Sequence, residues 1–306
     1  MSGHGDSTKA VIVALAANLS IAAAKGVAAW FTHSGAMLAE TVHSLADCGN
    51  QLLLLLGMRQ AKQPASPDHP LGRGKEIYFW SFLVAIMLFT VGGMYSLYEG
   101  IHKLQHPEPL HDWWWAVGVL LFSIAAEWIS TVACLKEAAK EREGRTFFQW
   151  FRESRSAELI VVIGENIAAL LGLVVALVAI LVSVVTGDPL WDAIGTVIIG
   201  VLLIVVAVFV AIEIKAMLVG QSMDPRRQAE MRAFLENRPE VGRVVSLITL
   251  QLGSEIMVSV QAEMSDRQTV RHLAEEIDTV ERALKDAFPE VRWSFFEPEA
   301  KASLTV

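Results

Sequence analysis

The chain has 306 residues, of which 53% are hydrophobic and 19% charged, and a formal net charge of −8 at pH 7. A soluble domain carries about 25% charged residues, so this composition excludes an ordinary soluble globule, and the mild acidity leaves no basic face for nucleic acid. The two cysteines, Cys48 and Cys134, both lie in apolar segments and exclude a disulfide framework or a metal finger.

The polar start MSGHGDSTKA runs into an apolar stretch too long for a signal-peptide core and without a clear cleavage site. It reads as a retained first helix. About 20 apolar residues span a bilayer as a helix, and six stretches qualify, at roughly 9–31, 36–58, 77–101, 113–136, 157–186 and 189–217. The connections alternate in positive charge. The loop after the second span holds Arg59, Lys62, Arg73 and Lys75, and the loop after the fourth holds Lys140, Arg142, Arg145, Arg152 and Arg155. The loops after the first, third and fifth spans hold at most Lys103. Positive loops stay inside, so both termini are expected in the cytoplasm. Trp113, Trp114 and Trp115 open the fourth span and suit an interfacial belt.

After Gly220 the composition turns polar. Asp224 and Pro225 form an N-cap and N1 pair for a helix. Two strand-like runs follow, VVSLITLQLG and EIMVSVQAEM, with a turn at Gly253-Ser254. An amphipathic helix with Leu273, Ile277, Val280 and Leu284 on one face comes next, and VRWSFFEPE is a last strand. The expected architecture is a membrane all-α domain of six helices over 1–220, followed over 221–306 by a small cytoplasmic α+β domain in the order α-β-β-α-β. That second unit has little core to spare and suits pairing with a partner.

Ionisable groups at membrane depth cost roughly 2.5–3.5 kcal/mol each on insertion scales and mark pathways. His43 and Asp47 stand four residues apart on the second span, so they share a helix face, which Glu40 and Gln51 extend. At 1.5 Å per residue they lie about 10–17 Å deep, where transporters place their sites. Imidazole nitrogen with carboxylate oxygen is a ligand set for Zn²⁺, and also for Mn²⁺, Fe²⁺ or Co²⁺; the plainer reading is a polar pair holding helices together. Glu165, with Asn166 beside it, lies near mid-depth in the fifth span and completes a three-ligand cluster if it faces His43 and Asp47. Gly164 and Gly172 permit close helix approach there. Glu127, central in the fourth span, is a further ligand candidate, a proton carrier or an interior hydrogen-bonding group. Lys25 and Glu40 lie toward the outer face, where snorkelling competes with a role at the mouth. Glu99 reads as interfacial, and His4, His33, His69, His102, His106 and His111 as solvated.

At these residues the sequence resembles the cation diffusion facilitator family of divalent-metal transporters. SGAMLAETVHSLADCGNQLLLLLG is similar to the family's second-helix signature, DHPLGRGKE to the loop before its third helix, and VGQSMDP to its junction with the cytoplasmic domain. Within the family, DHPLGRGKEIYFWSF, NQLLLLLG and ENIAALLG look closest to the branch containing the ninth mammalian zinc transporter. The resemblance implies a metallochaperone-like C-terminal domain, a homodimer, and metal efflux driven by inward protons through alternating access. It also implies four ligands, two from the second helix and two from the fifth. Here the sequence departs, because the fourth position is Ala169; the site is then three-ligand, or recruits Asn166, Glu127 or water. Arg73 stands where some members have a loop histidine, and His272 is the lone histidine of the C-terminal domain, so extra metal sites are not expected and that domain is expected to dimerise.

The expected function is efflux of divalent metal, zinc first, as a metal/proton antiporter in a bacterial inner membrane, with no prosthetic group. An exporter of Mn²⁺, Fe²⁺ or Co²⁺, a passive channel, and a non-transporting membrane scaffold or sensor are the alternatives. No nucleophile–base pair or phosphate loop points to an enzyme.

Overall fold

All six apolar runs fold as helices in the computed structural model of the chain. The structure describes residues 3–32, 35–106, 113–142, 144–265 and 269–299; the side chains of 3–10, 28–29, 31–32 and 35–43 lie outside that description. The spans are α1 (Gly3–Thr32), α2 (Gly35–Ala61), α3 (Glu76–Met87) continuing into α4 (Tyr95–Gln105), α5 (Trp113–Arg142), α7 (Ala157–Thr186) and α8 (Leu190–Gly220). Among the described residues four of these stretches are long and apolar enough to cross a bilayer, and α1 contributes an apolar run over Val11–Val27. Leu181, Val185, Phe209 and Ile212 stand exposed on α7 and α8, which suits a surface bathed in lipid. Trp113–Trp115 are exposed at the start of α5, as the aromatic-belt reading expects.

Two features depart from the expected runs. Leu88–Met94 form a π-helical turn that joins α3 to α4. Gly92 and Gly93 weaken the α-helix there, and the Thr90 hydroxyl donates to the Ile86 carbonyl at 2.9 Å, an extra partner for a carbonyl of the widened turn. The loop expected after the fourth span also contains a short helix, α6 (Phe147–Glu153). It starts at a capping box: Thr146 Oγ1 accepts from the Gln149 N–H at 3.3 Å and Gln149 Oε1 from the Thr146 N–H at 3.2 Å.

The helices pack as α1 on α2 and α5, α7 on α5 and α8, and α3 on α2, α7 and α8. The central core runs through Leu54, Tyr78, Trp150, Ile160, Ile163 and Ile214. Of the two glycines expected at close approaches, Gly164 sits at one. A Cβ there would stand 2.7 Å from Val210, whereas at Gly172 the nearest neighbour would be an ordinary 3.6 Å away.

The C-terminal domain follows as α9 (Pro225–Glu236), β1 (Val241–Leu252), β2 (Glu255–Met264), α10 (Val270–Ala287) and β3 (Val291–Glu299). Strand order is β1-β2-β3; β1 and β2 form an antiparallel hairpin at Gly253, and α10 is the crossover that sets β3 parallel to β2. Val258, Val260, Val280, Leu284 and Met231 close its core.

This domain docks on the bundle through α3, α7 and the loops beside them. The Gly253 N–H donates to Tyr78 Oη at 2.9 Å. Gly74 lies so close to β1 that a Cβ on it would run into the Leu252 carbonyl oxygen, so only glycine fits. Arg145 is 6% exposed and pairs with Asp224 at 2.5 Å and Glu153 at 3.3 Å. Burial pulls its pKa down, but the hydrogen bonds and charges of Asp224 and Glu153 outweigh that and raise it above the ordinary arginine value. Arg155 reaches the Ser222 carbonyl at 2.7 Å, and burial lowers its pKa.

Candidate metal centre

The stripe that begins at His43 and Asp47 continues down α2 at helical spacing to Asn50 and Gln51, and these reach α7. Asn50 Nδ2 donates to Glu165 Oε1 and Gln51 Nε2 to Glu165 Oε2, each at 3.3 Å. Gln51 Oε1 in turn accepts from Asn18 Nδ2 of α1 at 3.1 Å. Asn18, Asn50, Gln51 and Glu165 are all buried. Two amides therefore grip one carboxylate, and a third amide orients one of them. Buried polar groups demand such partners, and the chain of bonds ties α1, α2 and α7 together at mid-span.

Asp47 stands one turn from Asn50 and Gln51 toward the far end of the bundle, half-buried. It lies within Coulomb range of both Glu165 and Glu127. A void of about 10 Å³ opens beside it, lined by Asn50 of α2 and by Leu88, Val91 and Gly92 of the π turn. Glu127 of α5 is 4% exposed, and its Oε2 has no hydrogen-bond partner among the described residues. An ionised carboxylate buried without a partner is costly, so this oxygen is poised for a cation or a proton.

Lys25 departs from its expected place near the outer face. It is 4% exposed, its Nζ donates to Ser44 Oγ at 3.0 Å, and it lies within Coulomb range of Glu127. The close packing of α1 on α2 and α5 turns it inward, where buried acidic groups repay desolvation better than a route to the surface. Asn166 turns the other way from Glu165: its Nδ2 donates to Ser130 Oγ at 2.8 Å and approaches Cys134 Sγ at 3.6 Å, both on α5. Successive residues on a helix differ by about 100°, so Glu165 serves the seam with α2 and Asn166 the seam with α5. Ala169, one turn past Glu165, offers no donor atom. Cys48 is buried as packing.

His43 lies within α2, but its side chain and that of Glu40 fall outside the described residues, as do those of His4, His33 and His111. Among the described residues no three His, Cys, Asp or Glu side chains converge as a ready metal cage. What the described residues do assemble is three carboxylates in mutual Coulomb range, one lysine, and a set of amides that fix the most buried carboxylate. Such an arrangement holds a cation by charge and releases it when protons return to the carboxylates. Sequence reasoning missed Asn18, Asn50 and Ser130. Asn50 was findable, since it extends the Asp47 face at i+3; Asn18, alone in an apolar helix, carried no spacing signal.

The family model of the cation efflux transmembrane domain matches residues 11–219. The mitochondrial proton-coupled zinc antiporter SLC30A9 of Xenopus laevis is 32% identical over 281 residues, 91% of this chain and 50% of that protein. The mouse protein of the same name is 30% identical over 273 residues, 88% of this chain and 48% of that one. The cation-efflux pump FieF of Klebsiella pneumoniae is 26% identical over 285 residues, 92% of this chain and 89% of the pump. The chain thus spans about half the length of the antiporters it matches and most of the bacterial pump.

Proposed function

Because the chain belongs to the cation-efflux, or cation diffusion facilitator, family, we propose that it exports divalent metal cations, zinc first, in exchange for protons. The observation that carries this reading is the buried Glu165 carboxylate, gripped by Asn50 and Gln51 at the centre of the bundle with Asp47 and Glu127 in Coulomb range. His43, Asp47 and Glu165 hold the ion, and Glu127 is the nearest further carboxylate in place of the missing fourth ligand at Ala169. Metal requires these carboxylates deprotonated and the imidazole neutral, so loading expels protons and protonation expels metal. Lower pH on the loading side therefore slows export, and lower pH on the release side speeds it. Rocking of the helix pairs alternates access.

The relatives' names, zinc antiporter and cation-efflux pump, support the metal and the coupling. The basic loops after the second and fourth spans support both termini in the cytoplasm, and the likeness to the bacterial pump over most of its length supports a bacterial inner membrane. We assign residues 1–220 to transport and 221–306 to homodimerisation. A second reading, export of Mn²⁺, Fe²⁺ or Co²⁺, is favoured by the oxygen-rich character of the described cluster.

The test is uptake of each of the four metals into proteoliposomes under an imposed pH gradient. Zinc flux should follow the gradient, and His43→Ala, Asp47→Ala and Glu165→Ala should each reduce it to background. Parent-like flux in all three variants sinks the site assignment. Flux indifferent to the gradient sinks the exchange mechanism.

A further inference from the structure

Only half of the Asn50 amide is used inside the protein. The residue is 3% exposed; Nδ2 donates to Glu165 Oε1 at 3.3 Å, while Oδ1 has no hydrogen-bond partner among the described residues. Charge fixes which end is which, because a reversed amide would set its oxygen against the Glu165 carboxylate. A buried oxygen left unpaired needs a reason. Asn50 also lines the void of about 10 Å³ beside Asp47. The rest of that wall, Ala46 with Met87, Leu88, Val91 and Gly92 of the third span, carries no side-chain oxygen or nitrogen. With Nδ2 committed to α7, Oδ1 is the atom that Asn50 has left for the void. The volume takes one water-sized sphere, and a bare first-row divalent ion is smaller than a water molecule. In sequence, His43, Asp47 and Asn50 stand at i, i+4 and i+7, one stripe of α2.

We infer that Asn50 Oδ1 is the fourth donor to the transported metal, standing in for the side chain that Ala169 lacks. The inference rests on the transport reading above and adds one ligand to its set of His43, Asp47 and Glu165. One amide then does two jobs: its N–H₂ holds Glu165 in place, and its oxygen faces the ion. Charge favours this donor over Glu127, which does not line the void and has Lys25 in Coulomb range. Two carboxylates and a neutral imidazole balance a divalent ion. A neutral amide oxygen completes the set without adding charge, whereas a third carboxylate leaves an excess that is costly at membrane depth.

The experiment uses full-length protein purified in detergent, with cobalt and zinc as probes. Cobalt bound to Asn50→Cys should develop a thiolate-to-metal charge-transfer band in the near ultraviolet, and added zinc should abolish it. The parent, whose Cys48 and Cys134 set the baseline, should lack the band. So should Gln51→Cys, which grips the same carboxylate from beside the void. No band in Asn50→Cys overturns the inference and leaves a buried water as the occupant of the void. An equal band in Gln51→Cys overturns it too. Zinc affinity gives the second readout. Asn50→Leu should bind zinc about tenfold more weakly than the parent, and Asn50→Asp should recover most of that loss. If Asn50 only holds Glu165, the aspartate, which cannot donate and repels that carboxylate, binds no better than the leucine; that result overturns the inference. Should Asn50→Leu fail to fold, the cysteine spectrum decides alone. Failure of the transport reading is separate, because then the parent binds neither metal, or Glu165→Ala binds both equally well.

Discussion

Glu165 and Asn166 are adjacent in sequence and serve different helix seams, and at the residue scale this decides the composition of the site. Asn166 is held by Ser130, so the position on the Glu165 face that lacks a donor atom is Ala169, one turn on. Ala169→Asp should therefore add a ligand rather than disturb packing, since Ala169 is only partly buried. We expect zinc binding about tenfold tighter and turnover slower, because an ion held more firmly leaves more slowly. Titration of purified protein with zinc, beside transport rates, checks this; equal affinity in parent and variant refutes it. That His43 and Asp47 share a helix face follows from i, i+4 spacing alone, while the His43 side chain lies outside the described residues. The grip of Asn50 and Gln51 on Glu165 was not legible in the sequence, because it depends on which of several faces α2 turns toward α7. The inward turn of Lys25 was illegible for a similar reason, since a long flexible stem reaches either way and tertiary packing chooses.

Among elements, those with local signals were legible and those set by strain or context were not. Asp224-Pro225, the glycine at the β1–β2 turn and the period-two strands gave the C-terminal order directly. Helix α6 carried its own capping box in TFFQ, but it is too short to announce itself by periodicity. The docking of this domain was invisible in sequence because it joins loops far apart in the chain. Its anchor yields a comparison of two arginines. Arg145 is 6% exposed and bridges Asp224 and Glu153, whereas Arg227 is 40% exposed and pairs with Glu230 and Glu290. Removing Arg145 leaves two carboxylates that are 25% and 38% exposed, so water offsets part of the cost of breaking a buried pair, while a surface pair is worth under about 1 kcal/mol. Arg145→Leu should thus lower the thermal midpoint of the solubilised protein more than Arg227→Leu. Equal shifts would show that the Arg145 cluster contributes no more than a surface bridge.

For the whole molecule, the third span links the bundle to the C-terminal domain. Through Tyr78 it meets the C-terminal domain, its first half packs on α2 and α7, and through α4 it lies along α8. The apolar count and loop charges foretold six rods and a polar tail, but not that one rod has a change of pitch within it. A π turn accommodates roughly one extra residue without adding a full α-helical step, so the two halves of this span are out of phase by about 100°. The lower half packs on α2, α7 and α8, and the upper half seats Gly100 against Val197 and Lys103 against Asp192 at 3.1 Å, both on α8. Deleting Val91, which is 45% exposed and packs little, would bring the halves back into phase and swing α4 off α8. Loss of membrane insertion or of thermal stability is the expected result, and parent-like behaviour would argue against it. In the language of gears, the π turn is an offset coupling: it lets one helix mesh with α2 and α7 below and still follow α8 along its whole length.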